Sequence, residues 1–338
     1  MDLNEQYYKK VISAIGWALL ILWGLMQGFG VGITLLPVLL AALPISPVLS
    51  EVVYQLLHAA GYLLTFMLPV LFLRLILKKK GCMPHPIAFE ARISPMLPCM
   101  AFASLAICFS AAQINAYMVE IFNYSEFTAE VLMGQNEKSE AYAIVLNFIV
   151  LSIVPGFCEE LLFRGAILGN LMPFGRIPAI LISSFFFAVM HQNAGQLFYT
   201  FAAGIVLGLI YERTGSIWNC TVIHILNNFV SVLQEAVYGS SADETVITAI
   251  LLCIECVVYL LGSISAVILV LRYFRNRTPL EDGVFGRDLP ASDSYAAYPL
   301  HSGRAARLLC TPTVIVFLAL CCVQVLLLIL MSLLGGFL

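Results

Sequence analysis

Two adjacent carboxylates, Glu159 and Glu160, and one guanidinium, Arg164, stand in a stretch over 141–172 that is otherwise nearly all apolar. A charged residue at bilayer depth costs about 2.5–3.5 kcal/mol even on the mildest scale, so such residues mark function and need a partner. Two imidazoles follow in later apolar runs, His191 and His224, with Asn228 four residues after the second. Together these are the parts of a hydrolytic site. A buried carboxylate, or one facing a polarised water, is basic enough to accept a proton. Imidazole and amide donors can hold a tetrahedral oxyanion.

Spacing suggests a division of labour. Glu160 and Arg164 are an i,i+4 pair on one helix face and can bridge. Glu159 is rotated by about 100° and points elsewhere. One glutamate is thus expected to be tied to arginine and the other left free for chemistry. Pro155 and Gly156, one turn earlier, are expected to loosen the helix and admit water or substrate.

The elements that must position these groups follow from the apolar pattern. Runs over 141–172 and 177–193 form a helical hairpin around Pro173-Phe174-Gly175-Arg176. Glu159 and His191 each lie about 15 residues from that turn, roughly 20–24 Å along their helices, and so share a depth. His224 stands about ten residues past Arg213. It is nominally about 8–10 Å shallower, a difference that tilt or helix offset has to make up. Asn228 shares its face and lies deeper.

Composition sets the class. Of 338 residues, 61% are hydrophobic and only 11% charged, against roughly 25% charged in soluble domains. The expected fold is all-α, a polytopic transmembrane bundle of eight or nine helices. Runs long enough to cross, or short enough to be buried among others, cover 11–45, 51–77, 95–116, 141–172, 177–193, 196–211, 216–238, 246–271 and 312–337. The first is too long for one straight span, and Gly28, Gly30, Gly32 and Pro37 are expected to bend it or make it re-entrant. It is also much longer than a signal-peptide core, so it is expected to be retained. The expected organisation is N-terminal membrane helices over 1–94, a catalytic membrane core over 95–240, and C-terminal membrane helices over 241–338. The last unit contains a flexible cytoplasmic linker at 272–311.

Charge gives orientation. Lys9, Lys10, Arg74, Lys78, Lys79, Lys80, Arg92, Arg176, Arg213 and the linker arginines fall on one side, and the carboxylate-rich 117–140 loop on the other. The positive-inside rule then puts the N-terminus in the cytoplasm. No basic domain exists, so nucleic acid is not an expected partner. The expected partners are the lipid bilayer and a peptide or protein substrate. The ten cysteines sit mostly in apolar runs and read as small hydrophobes. His58 reads as a packing residue, and Glu235 and Glu255 carry no assigned role.

Other readings use the same residues. A Glu–Arg pair can simply lock helices together, and His224 with Asn228 can be polar glue between helices. Ionisable residues at depth can also form a proton path in a transporter, although the inverted repeats of that class are not visible. A non-catalytic immunity or scaffold protein is the remaining alternative.

The joint pattern Glu159-Glu160-x-x-x-Arg164, Phe187-x-x-x-His191 and His224-x-x-x-Asn228 resembles the three motifs of the CAAX-protease and bacteriocin-processing (CPBP, or Abi) intramembrane proteases. The resemblance covers about 141–235. It implies an endopeptidase acting on membrane-associated or CAAX-like substrates, in a bacterial cytoplasmic membrane. Glu159 then resembles the general base, assisted by His191, and His224 with Asn228 the oxyanion-stabilising groups. Glu160 with Arg164 resembles a supporting pair, with a direct role for Glu160 left open, and Phe187 gives structural support. The family is commonly labelled metalloprotease, and Glu159, His191 and His224 are enough ligands for zinc. No His-Glu-x-x-His is present, however, and a metal-free glutamate mechanism fits the same residues. No cofactor is certain, and zinc is the candidate.

Overall fold

The computed structural model describes residues 3–87, 89, 93–121, 141–238, 240, 243–275 and 304–335, and among these it is helical without strands. Helix α1 spans Leu3–Ala41, α2 Pro47–Lys79 and α3 Leu97–Ile121. Next comes α4, an unbroken helical rod over 141–171 with π-helical segments at Ile149–Ile153 and Leu161–Leu168. Four helices follow: α5 Arg176–Met190, α6 Leu197–Thr214, α7 Ile217–Tyr238 and α8 Glu244–Arg275. A short α9, Arg304–Leu309, and α10, Pro312–Gly335, complete the described chain. Among the described residues eight helices are long and apolar enough to cross a bilayer, with Arg176–Met190 a shorter apolar one. The chain is an integral, multi-pass membrane protein.

The first apolar run is one continuous helix, with Pro37 inside it. At 1.5 Å per residue it is roughly 58 Å long, well beyond a 30 Å hydrocarbon core. It neither re-enters nor crosses twice. Pro37 is tolerated four residues from the helix end, where little of the hydrogen-bond ladder remains to be lost. Helix α2 starts sharply, because Ser46 Oγ accepts the Leu49 N–H at 3.2 Å and Pro47 needs no partner for a missing N–H.

The basic residues gather at one end of the bundle. Lys80 Nζ donates to Ser13 Oγ at 3.1 Å, and Tyr8 donates to the Ala305 carbonyl at 3.2 Å. Phe174, in the turn before α5, packs on Tyr7 and Tyr8 with ring centroids 5.5 and 5.0 Å apart. Arg176 and Arg213 both pair with Glu212, at 3.2 and 3.0 Å. Most of the acidic 117–140 loop, Arg92, Arg277 and Arg287 lie outside the described residues.

Between apolar helices in lipid, close packing rather than burial from water drives association. The C-terminal α10 packs on α1, where Gly16 abuts Thr313, and on α5 through Phe186 and Phe317. Helix α4 lies at the centre, with Leu162, Phe163, Ile167 and Leu168 fully buried. His58 packs against Phe29 and Tyr54, with centroids 5.3 and 5.9 Å away. All ten cysteines are free thiols.

Candidate active site

Helix α4 carries the carboxylates into the middle of the bundle, between two stretches where the backbone widens to a π-helix. Such segments insert an extra residue into the turn and recur at functional sites. Glu159, Glu160 and Arg164 are all buried. Arg164 Nη1 donates to Glu160 Oε1 at 2.7 Å, so the i,i+4 pair read from spacing is formed. Arg164 Nη2 donates to the Gly204 carbonyl on α6 at 3.3 Å, and its guanidinium lies 4.5 Å over the Phe187 ring. The charge is therefore spent on three acceptors, as a buried guanidinium requires. Gly204 also lets α6 close on α5: a Cβ there would sit 2.9 Å from the Ser184 Cα.

His224 joins the two glutamates. Its Nδ1 stands 2.7 Å from Glu160 Oε1, and its Nε2 lies 3.8 Å from Glu159 Oε2. The side chains of Glu159 and Glu160 do diverge, as helix geometry dictates, yet they flank one imidazole rather than serving separate surroundings. The contact depends on Gly156. A Cβ on Gly156 would lie 2.7 Å from Ile225 Cγ1 and 3.1 Å from the Ile225 backbone nitrogen. Gly156 thus serves close approach of α7, and the residue next to His224 is the one it admits. That differs from the expected loosening of the helix; here Pro155 and Gly156 sit in regular α-helix just after the first π segment.

His191 caps the C-terminus of α5, and its Nδ1–H donates to the Phe187 carbonyl at 2.8 Å. A carbonyl only accepts, so the proton on that nitrogen leaves Nε2 of the neutral ring as an acceptor. His191 is within electrostatic reach of Glu159, His224 and Arg164. The next residue, Gln192, takes a left-handed φ of 53°, and its Oε1 accepts from Gln27 of α1 at 3.0 Å. The Phe187 ring is the hub, with centroids 4.9 Å from His191 and 5.9 Å from His224.

Three groups missed by sequence reasoning complete the site. Tyr62 of α2 donates its hydroxyl proton to Glu159 Oε1. Asn227 donates to the Tyr199 hydroxyl. Asn227 was within reach of pattern reading, since it adjoins Asn228; Tyr62 stands 97 residues from its partner and carries no local signal. A cavity of about 40 Å3 is bounded by His191, His224, Asn228, Tyr199 and Asn227, room enough for a water molecule. Glu159 Oε2 is buried, and no described group bonds it.

Among the described residues no three His, Cys, Asp or Glu side chains converge closely enough to hold an ion. His224 Nε2 and Glu159 Oε2, 3.8 Å apart, form a pair of candidate donors rather than a set of three. As arranged, the described residues bring no third donor to that pair.

A helical membrane bundle with a buried carboxylate–imidazole centre, beside a cavity that a half-buried amide lines, is the class that fold and site define. The family model described as "Type II CAAX prenyl endopeptidase Rce1-like" matches residues 141–230. A protein of Bacillus subtilis (strain 168) named "Putative membrane peptidase YdiL" is 33% identical over 126 residues, 37% of this chain and 49% of that protein. The chain thus spans about half the length of that relative. No solved structure matches. Over 141–230 the chain is similar to that family, and all the candidate site residues named from sequence fall within the matched stretch.

Proposed function

We propose that the protein is an intramembrane endopeptidase that hydrolyses peptide bonds of membrane-associated or CAAX-like substrates with a glutamate-activated water. The observation that carries this reading is Glu159. One carboxylate oxygen receives Tyr62, and the other, buried and unbonded among the described residues, faces His224. His224 also lines a water-sized cavity, with His191 and Asn228.

In this reading Glu159 takes a proton from the water while His191 Nε2 accepts its second hydrogen. The resulting nucleophile attacks the scissile carbonyl carbon. To donate from Nε2 as well as from Nδ1 to Glu160, His224 acts in this reading with both ring nitrogens carrying hydrogen. His224 and the Asn228 amide then hold the oxyanion, the kind of preorganised donor set that is strongest where water is excluded. Collapse breaks the C–N bond, and the proton on Glu159 passes to the leaving amine. Glu160 and Arg164 fix the imidazole and take no part in bond making.

The mechanism is metal-free in this proposal, supported by a donor set that does not converge. Comparative membrane proteomics of a Glu159→Gln strain against wild type tests the function and finds the substrate: uncut precursors accumulate only in the variant. An unchanged membrane proteome contradicts the reading. Treatment of the purified enzyme with a chelator is expected to leave cleavage intact. Loss that zinc reverses would overturn the metal-free mechanism and make His191 and His224 the first ligands to test.

A further inference from the structure

Beside the catalytic cavity lies a second, larger one of about 560 Å3, between α3, α6, α7 and α8. The two share Tyr199 and Asn227, whose mutual hydrogen bond forms the wall between them. The volume is that of an ordinary ligand site, and it adjoins the oxyanion groups rather than a distant surface. Its lining is unusual for helices in lipid. Gln113, Asn115, Gln196, Ser231, Gln234 and Glu255 all face it, and polar groups at such depth are costly unless something uses them.

Two of these residues point to a ligand. Asn115 is 4% exposed and built into the rim, its Oδ1 accepting the backbone N–H groups of Phe198 and Tyr199 at 3.1 and 3.2 Å. Its Nδ2 is buried without a partner among the described residues, a donor of the kind that a polypeptide carbonyl satisfies. Glu255 is the single charged residue among those lining the cavity. It lies about 16 Å along α8 from the helix start, inside a span from Glu244 to Arg272, and no described Lys, Arg or His pairs with it.

We propose that this cavity is a substrate subsite in which the carboxylate of Glu255 receives a basic side chain, Lys or Arg, of the bound polypeptide, while the surrounding amides hold its backbone. The proposal rests on the proteolytic reading of the adjoining site, since that reading makes the ligand a polypeptide. A carboxylate that no described cation pairs, lining a cavity among apolar helices, attracts a cation, and amides in a cluster match the donors and acceptors of a peptide chain.

The test uses full-length protein in detergent carrying Glu159→Gln, so that peptides are held and not consumed. Fluorescent apolar decapeptides bearing a single Lys at each position in turn are compared with peptides bearing norleucine there, by fluorescence anisotropy. At one or two adjacent positions Lys is expected to bind roughly 10-fold tighter than norleucine, the usual size of one charge-assisted hydrogen bond. Adding Glu255→Gln, an isosteric change, should abolish that preference. Adding Glu255→Arg should invert it toward a peptide with Glu at the same position. Absence of any Lys preference, or a preference that survives Glu255→Gln, overturns the subsite. The same peptides incubated with the Glu159 protein separate the two claims. Glu255-dependent binding without cleavage leaves the subsite standing and removes the protease.

Discussion

His224 Nδ1 stands 2.7 Å from the same Glu160 oxygen that receives Arg164 at 2.7 Å. One carboxylate oxygen thus joins the ion pair of α4 to the imidazole of α7. Removing Arg164 leaves Glu160 with the histidine alone, and removing Glu160 strands a buried guanidinium and releases the histidine. Arg164→Ala and Glu160→Ala should each cost about 3–5 kcal/mol. The double variant should lose clearly less than the two losses combined. Melting temperatures in detergent decide it, and simple additivity would count against a coupled unit.

Gly156 sets the distance between the carboxylates and His224. In Gly156→Ala the new methyl meets the Ile225 side chain and backbone, and α7 must move away. Overpacking of this kind costs about 1–3 kcal/mol. A displacement near 1 Å at a reacting group can lower turnover about 10²-fold. The expected variant is therefore folded and nearly inactive, with partial recovery when Ile225→Ala is added. Wild-type turnover by Gly156→Ala would show that the approach of α7 does not matter.

Tyr62 orients Glu159 through one hydroxyl. Its ring stacks on Phe66 at 4.8 Å and meets Phe29 edge-on at 6.0 Å, contacts that Tyr62→Phe keeps. Melting temperature should barely change, while turnover falls roughly tenfold for the loss of one hydrogen bond to a charged group. Equal turnover of the two proteins would remove Tyr62 from the site.

His85 lies between α2 and α3, where its backbone N–H donates to Asn170 Oδ1 at 2.9 Å. Burial, with a smaller push from Arg74, lowers its pKa below the usual imidazole value, against a hydrogen bond that the ring donates to the Pro86 carbonyl. The fold therefore holds the neutral ring. The stability it contributes is complete above about pH 6.5, the unfolded value, and is lost as pH falls toward the depressed one. Melting temperature should drop on acidification in wild type and drop less in His85→Gln. Parallel profiles would exclude His85 as the source.

The sequence exposed those features that depend on local spacing or composition. Long apolar runs became helices, Pro173-Phe174-Gly175-Arg176 became the turn between α4 and α5, and the i,i+4 spacing became the Glu160–Arg164 bridge. Clustering of Lys80, Arg176 and Arg213 at one end was readable because each flanks an apolar run. What remained hidden depends on three-dimensional approach. Depth counted in residues left His224 too shallow, whereas the structure brings it onto Glu160. The π-helical widening around Glu159 and Glu160 has no compositional mark. Gly156 read as a weak point in a helix because its neighbour Ile225 is 69 positions away in the chain. Glu255 had no role in the sequence because the cavity it faces is assembled from four helices.

Glu159 as the base is the central claim, and Glu159→Gln tests it most directly because it keeps the shape and the hydrogen bond from Tyr62 while removing the proton acceptor. Wild-type and variant proteins in proteoliposomes would be given a substrate found by membrane proteomics, and the products counted by mass spectrometry. Asn228→Ala serves as the comparison, expected to retain folding and lose about 10²–10³-fold in turnover as one oxyanion donor is removed. The expected result is no detectable cleavage by Glu159→Gln at a wild-type melting temperature. Cleavage by the folded Glu159→Gln protein at a rate near wild type would contradict it.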